Sequence, residues 1–357
     1  MKKLDWYIVK RFVATFFFAI MILAVIACVI DYSEKVEDFV THKAPAIAIL
    51  NYFKNFIPHI SALLFPLFIF IATIFFTSKL AYKSEIIAML ATGMSFQRFM
   101  RPYLIGAAFL CSLSLIANHW TVPAANKQRI AFEDEYIHGK VFASDRNIHL
   151  RLSQDLFVYL MVYDYGANIG YHLTVEHIDG TTLKDKIYAG HCSYDSVKKE
   201  WHLYECRARV YDSVGDKYRT IADTIMKIPF KPADIEEDEA VKDALTTPEL
   251  NRYIAREKLR GRETLNFFYI EKYRRTAQPF AGFILTIIGV CIAMRKVRGG
   301  SGLHLAIGIV ISALYIMAMQ FTTTFSTKAG LNPMLAVWIP NFIFAGVAYY
   351  LYRRQVK

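Results

Sequence analysis

Residues 12–30, FVATFFFAIMILAVIACVI, run for 19 positions without a charge. That is close to the ~20 apolar residues a helix needs to cross a bilayer. Five more apolar runs follow, at 56–77, 103–118, 277–294, 303–325 and 333–352. They contain His59, Asn118, Gln278, His304 and Gln320, but no acid, lysine or arginine. A hydrophobic content of 55% would also suit a soluble domain. The clumping decides for six transmembrane helices. The first run follows a basic stretch, as a signal peptide would, yet it is longer than a typical signal core and ends without an A-x-A-like site. It reads as a retained helix.

Lys and Arg near the helix ends set the orientation. With the amino terminus in the cytoplasm, the inner side collects fourteen basic residues, among them Lys2, Lys3, Lys10, Arg11, Lys79, Lys83, Arg98 and Arg101, against Asp5 and Glu85. In the short outer loops Lys35, Lys43, Lys54 and Lys328 are balanced by Asp31, Glu34, Glu37 and Asp38. Both termini are therefore expected in the cytoplasm and the segment 121–274 outside. The net charge of +11 follows from this topology and calls for no nucleic acid.

The exported segment has a different period. From 147 to 212 it is rich in β-branched and aromatic residues in rough alternation, punctuated by turn signals such as Asp179-Gly180. This pattern predicts about eight short strands in an all-β sandwich or open roll. A hairpin turning at Ser196–Lys199 would pair Cys192 with about position 203. Cys206 then lies roughly 10 Å out of register, so no disulfide is expected within the hairpin. After the strands comes an acidic linker, ADIEEDEAVKDA. A helix follows, with Thr247 as N-cap, Pro248 at its first position and Glu249 in its first turn.

No catalytic constellation is visible. RGGSG at 298–302 lacks the Gly-Lys-Ser/Thr of a phosphate-binding loop and reads as a tight turn between two membrane helices. There is no Gly-x-Ser-x-Gly, His-Glu-x-x-His or Cys-x-x-Cys, so no enzyme activity, cofactor or metal is expected. Ion-coupled transporters place ionisable groups in their spans, and these spans lack Asp, Glu, Lys and Arg at their centres. Any uphill movement therefore draws its energy from a partner.

Against that background, YKSEIIAMLATGMSFQRFMRP at 82–102 is anomalous: it is too short to span a bilayer and too apolar for a polar turn. Ser84 is expected to cap a short helix with Glu85 at its favourable end. The apolar run Ile86–Ala91 then either lies in the bilayer interface or fills a groove on a cytoplasmic protein.

The stretch S-E-I-I-A-M-L-A-T-G-M-S resembles the coupling-helix motif of the LptF/LptG permeases, the membrane subunits of the lipopolysaccharide-export ABC transporter. L-D-W-Y-I-V-K at 4–10, V-P-A-A-N-K-Q at 122–128 and W-I-P-N at 338–341 are similar to family signatures too, as is the order of parts. The resemblance implies a membrane α-helical plus β fold, with six transmembrane helices in a three-plus-three arrangement and a β-jellyroll-like domain inserted between helices three and four. It divides the chain into 1–120 with a coupling helix at about 82–95, a periplasmic jellyroll at 121–245, a connecting helix at 246–276 and the last three spans at 277–357.

The family pattern further implies an inner-membrane subunit that pairs with a second LptF/LptG-type permease. The partners would be a cytoplasmic LptB ATPase dimer and, outside, LptC and LptA-type bridge proteins, with lipopolysaccharide as cargo. Ser84, Glu85, Ile86, Met89 and Gly93 match the coupling motif. Arg274 and Arg275, with Lys35, are placed to meet the lipid's phosphates; the alternative for the arginines is a snorkelling anchor of span four. Where some LptG-type members carry a lysine at the outer end of span one, this chain has Asp31, which leaves open whether it is the F-like or the G-like partner. A membrane-anchored scaffold or receptor is the competing reading, and it would have no use for a coupling handle.

Overall fold

The computed structural model describes residues 3–137, 144–164, 166–212, 215–232, 241–259, 265–295 and 301–356. The expected turn at 298–300 and most of the acidic linker, 233–240, lie outside the described residues. The chain divides into two compact units: Met1–Ile137, Val241–Leu250 and Asn266–Lys357 form one, and His138–Ala240 with Asn251–Leu265 the other.

The first unit begins with α1 (Lys3–Thr41), α2 (Ala46–Leu63), α3 (Phe65–Tyr82), α4 (Glu85–Ala91) and α5 (Phe96–Ile116). A single π turn at Ala117–Thr121 leads directly into α6 (Val122–Tyr136), so the chain stays helical well past residue 121. After the inserted unit come α7 (Val241–Ala244), the start of α8 (Thr247–Leu259), α9 (Leu265–Ala293), α10 (Ser301–Ala329) and α11 (Pro333–Val356). Among the described residues, six helical stretches are long and apolar enough to cross a membrane: Lys3–Thr41, Phe65–Tyr82, Phe96–Tyr136, Leu265–Ala293, Gly302–Ala329 and Pro333–Gln355.

Helix α3 is the hub. Phe68, Ile69, Phe70, Ala72 and Ile74 expose no surface, and only the stripe through Phe75 and Tyr82 is open. A helix without a polar face belongs in the interior. Lipid is as apolar as the side chains, so close packing must hold the neighbours, and small residues permit it. A Cβ on Gly289 of α9 would lie 2.9 Å from Thr73 Cγ2, and one on Gly282 would lie 2.7 Å from Cys111 Sγ. Asn341 ties three spans: its Nδ2 donates to Ala277 O at 2.9 Å, and its Oδ1 accepts from the Tyr315 hydroxyl at 2.9 Å.

The run 56–77 is not one helix, as the sequence suggested. It breaks at Leu64, whose φ of −97° and ψ of 11° separate α2 from α3. Pro66 supplies the cause. It has no N–H, so the carbonyl of Ala62 loses its helical partner. Gln278 of α9 takes its place, donating from Nε2 to Ala62 O at 2.6 Å and to Leu63 O at 3.2 Å.

Among the described residues, the second unit holds eight antiparallel strands: β1 (Ser144–Arg151), β2 (Leu156–Asp164), β3 (Ile169–Asp179), β4 (Thr182–Asp195), β5 (Glu200–Tyr204), β6 (Cys206–Asp212), β7 (Gly215–Ile221) and β8 (Thr224–Met226). They pair in the order β1-β2-β3-β4-β5-β8, and β6 joins β4 to β7. Val158, Leu160, Leu173, Val175, Ala189 and Leu203 meet around Trp201 in a core of the unit's own, and the Trp201 indole donates to Phe230 O at 2.9 Å. The β4–β5 register sets Cys192 opposite Leu203, as the hairpin reading required, and Cys206 opens β6 beyond a break at Glu205, where φ is 56°. Both cysteines are buried and unbonded. Burial pushes the Cys192 thiol up to about 12 and raises that of Cys206 as well.

Two outcomes follow. Gln278→Leu orphans the Ala62 carbonyl and is expected to cost about 1–3 kcal/mol. A thermal melt in detergent reads the loss against Gln320→Leu, an exposed position expected to stay within about 0.5 kcal/mol. Since only the thiolate reacts, Cys192 and Cys206 should take up maleimide at pH 7.5 only after the β unit is unfolded. Labelling of the native protein at the rate of free cysteine would contradict their burial.

Candidate functional site

The anomalous apolar stretch folds as α4, seven residues held between two reversals. Ser84 turns the chain at φ 60°, ψ 14°, and Gly93 turns it again at φ 85°, a conformation in which a side chain is strained. The expected side-chain cap is absent. Ser84 takes the N-cap position, but in that left-handed conformation its hydroxyl makes no cap bond. Ser95 does cap, accepting from the Arg98 amide at 3.3 Å at the start of α5.

The helix has two sides. Ile86 is 1% exposed and belongs to a cluster with Ile8, Leu80, Phe96, Phe99 and Met100; half-buried Met89, Leu90 and Met94 pack against it. The same cluster takes in Val290 and Cys291 of α9 and reaches Leu351 and Tyr352 of α11. Outward, Ile87 is 54% exposed, Ala88 and Ala91 are exposed, and Glu85 is half-buried at the first position. Of the five motif residues, Ile86 and Met89 therefore face the core, Ser84 and Gly93 shape the backbone, and Glu85 stands at the edge. The exposed apolar contact is Ile87, which the motif reading passed over. Asp5, 5% exposed near the start of α1, bonds the Arg98 guanidinium at 2.7 Å and fastens the first span to the third beside α4.

The basic residues expected to meet phosphate fall in two places. Arg274 and Arg275 are together, sharing the Glu271 carboxylate: Arg275 Nε at 2.8 Å from Oε1 and Arg274 Nη2 at 2.5 Å from Oε2. Arg275 is 3% exposed and also donates to Lys242 O at 2.9 Å and to the Thr247 hydroxyl at 3.3 Å. Arg274 keeps 35% of its side chain exposed and lies 3.6 Å from Asp243. Burial, with Glu271 beside it, pushes the Asp243 carboxyl up from its ordinary value. Lys35 is elsewhere, between Asp31 Oδ1 at 2.8 Å and Glu133 Oε1 at 3.0 Å, while Arg129 clasps Glu133 at 2.7 and 2.8 Å. Asp31, the departure from the family pattern, is thus the partner of Lys35 one turn away.

Thr247 is not the cap of α8. Thr246 is: its amide and hydroxyl bond Glu249 Oε2 at 2.8 and 2.6 Å, a capping box shifted one residue back. The Thr247 hydroxyl is thereby left for His119 Nδ1, 2.7 Å away at the π turn, and for Arg275. Asn126 of α6 donates to Asp243 O at 3.0 Å. The returning chain is thus bonded to spans three and four where it rejoins them. The Glu271–Arg275 pairing was readable as E-K-Y-R-R at helical spacing; the roles of His119, Asn126 and Thr247 had no sequence signal.

Beside Arg274, a pocket of about 270 Å³ has both polar lining residues, among them Gln278, Gln320 and Thr323, and apolar ones, among them Phe267, Ile270 and Met319. Its mixed lining suits an amphiphile. Among the described residues no group of three or more His, Cys, Asp or Glu is placed to hold a metal.

The division of labour on α4 predicts unequal costs. Ile86→Ala should destabilise the protein by about 2–5 kcal/mol, and Ile87→Ala by no more than about 0.5 kcal/mol. A denaturation series in detergent compares the two.

Comparison with known proteins agrees with this arrangement. The family described as "Lipopolysaccharide export system permease LptF/LptG" matches residues 6–354. The chain is 18% identical over 356 residues to the lipopolysaccharide export system permease protein LptG of Escherichia coli strain K12, covering 99% of this chain and 98% of that protein. The LptG of Escherichia coli O6:H1, strain CFT073, matches to the same extent. With six membrane-length helices, an inserted antiparallel β unit and a match that runs almost from end to end, this chain belongs to the LptF/LptG family of lipopolysaccharide export system permeases.

Proposed function

We propose that the chain is one of two related permease subunits of an ABC transporter that takes lipopolysaccharide from the outer leaflet of the inner membrane and passes it to a periplasmic bridge. The observation that carries this reading is the two-sided α4. Its inner face is set in the apolar cluster that draws on α1, α3, α5, α9 and α11, and its outer face offers Ile87 beside Glu85. A helix of that kind receives force from a cytoplasmic partner and delivers it to the spans. The partner is an LptB-type ATPase dimer that hydrolyses ATP.

The excess of Lys and Arg at the α3–α5 end of the spans supports a cytoplasmic location for that end and for both termini. The β unit is then periplasmic, a jellyroll whose apolar interior carries acyl chains toward LptC and the LptA-type bridge. The exposed apolar faces of α1 and α10, including Phe18, Met21, Ile22, Met317 and Phe321, fit a second permease across a lipid-filled cavity. Phosphate recognition falls to Arg274, the more exposed of the two arginines, at the mouth of the amphiphilic pocket. Arg275 supports that site from within its ion pair with Glu271, and Lys35, held by Asp31 and Glu133, would meet phosphate at a separate place.

The scaffold reading leaves α4 without a purpose, and one experiment separates the two. The wild-type chain, extracted from its native membrane in mild detergent, should carry a small ABC ATPase identified by mass spectrometry. Glu85→Arg and Ile87→Arg should each lose it by about tenfold or more, with the partner permease retained. An absence of ATPase from the wild-type complex would favour the scaffold.

A further inference from the structure

Between α1, the α2–α3 break and α5 lies a groove of about 200 Å³, lined chiefly by Phe16, Ile20, Pro58, Phe65, Leu110 and Leu113. It exceeds the ~150 Å³ at which an apolar cavity accepts a benzene-sized guest. It opens toward the lipid-facing surface at Phe17 and Leu113, which are 46% and 43% exposed. One wall is polar. Asn118 is 5% exposed, and its side-chain Nδ2 has no partner among the described residues. A buried amide N–H left in hydrocarbon is costly and calls for an acceptor.

Three placements say what kind of acceptor. Asn118 stands on the π turn, where the extra residue swings it out of the regular helical ladder, a device concentrated at functional sites. Trp120, two residues on and 56% exposed, marks the depth at which amphipathic rings meet the lipid headgroup region. Asn118 also lines a second, more polar pocket with His59, Asn126, Arg274 and Gln278. Across the shared residues Ala62, Asn118 and Val122, of which only Asn118 has a polar side chain, the lining passes from hydrocarbon to polar, in the order chain, ester, headgroup.

We propose that this groove holds one acyl chain of a bilayer glycerophospholipid, with the chain's ester carbonyl accepting from Asn118 Nδ2. A slot of this volume takes part of a single chain. Its occupant must therefore be at ease with its other chain in the bilayer, as a two-chain glycerophospholipid is. The site lies within one subunit and needs no transport to be filled.

The test uses the full chain with its partners in nanodiscs of one phosphatidylcholine carrying a diazirine on one acyl chain. After irradiation, cross-links are mapped by peptide mass spectrometry. Label should concentrate on residues 58–65 and 110–121. Leu113→Trp and Ser61→Phe, which fill the groove from opposite walls, should cut it about tenfold, and Asn118→Leu about fivefold, for loss of one hydrogen bond. Phe342→Trp, on the 66% exposed face of α11, should leave it unchanged. Circular dichroism confirms that the scored variants are folded. Label spread evenly over the exposed faces of α10 and α11, or unchanged by both groove-filling variants, overturns the proposal. So does displacement of the label by added lipopolysaccharide at low excess, which would assign the groove to the transported lipid.

Discussion

Inside a bilayer a carbonyl without a partner has no water to turn to, and this architecture turns on one such carbonyl. Pro66 deprives Ala62 of its helical donor, and Gln278 of the fourth span supplies another. That bond lets the chain bend at Leu64 while staying in the membrane. The bend in turn separates a half-exposed α2 from a mostly buried α3. The acyl-sized groove lies along the break, Gln278 lines the pocket beside Arg274, and the close approach of α9 to α3 at Gly282 and Gly289 follows from packing around the same hub.

At the opposite end, α4 is rigid for a related reason. Seven residues are too few to be stable by propensity, so the helix exists because Ile86 is sunk among side chains from several spans. Its two reversals use backbone conformations that few residues tolerate. Whatever binds the outer face therefore moves a piece of the transmembrane core and not a loose loop. The Asp5–Arg98 pair keeps the amino end of the first span in register with that piece.

Much of this was legible beforehand, where hydrocarbon sets strict rules. The spans, the strand-rich insertion and the Cys192 register all follow from period and length. The failures lie where a side chain changes its expected partner. Thr247 looked like a cap because Pro248 and Glu249 follow it, yet Thr246 closes the capping box and Thr247 turns to His119. Ser84 stands at the expected position without the expected bond. Pro66 was visible in the run 56–77, but a proline in an apolar run ends a helix only if something distant answers the freed carbonyl. That answer lay 216 residues away. The arginines read as phosphate ligands are balanced by Glu271 and Asp243, of which only the first was within helical reach.

The two thiols of the β unit have a consequence for how the protein is made. Cys192 and Cys206 are packed in the sheet core as small apolar groups, and nothing in that core asks them to join. The unit therefore reaches the same native state whether its surroundings are oxidising or reducing. Its maturation imposes no demand on disulfide-forming or isomerising catalysts.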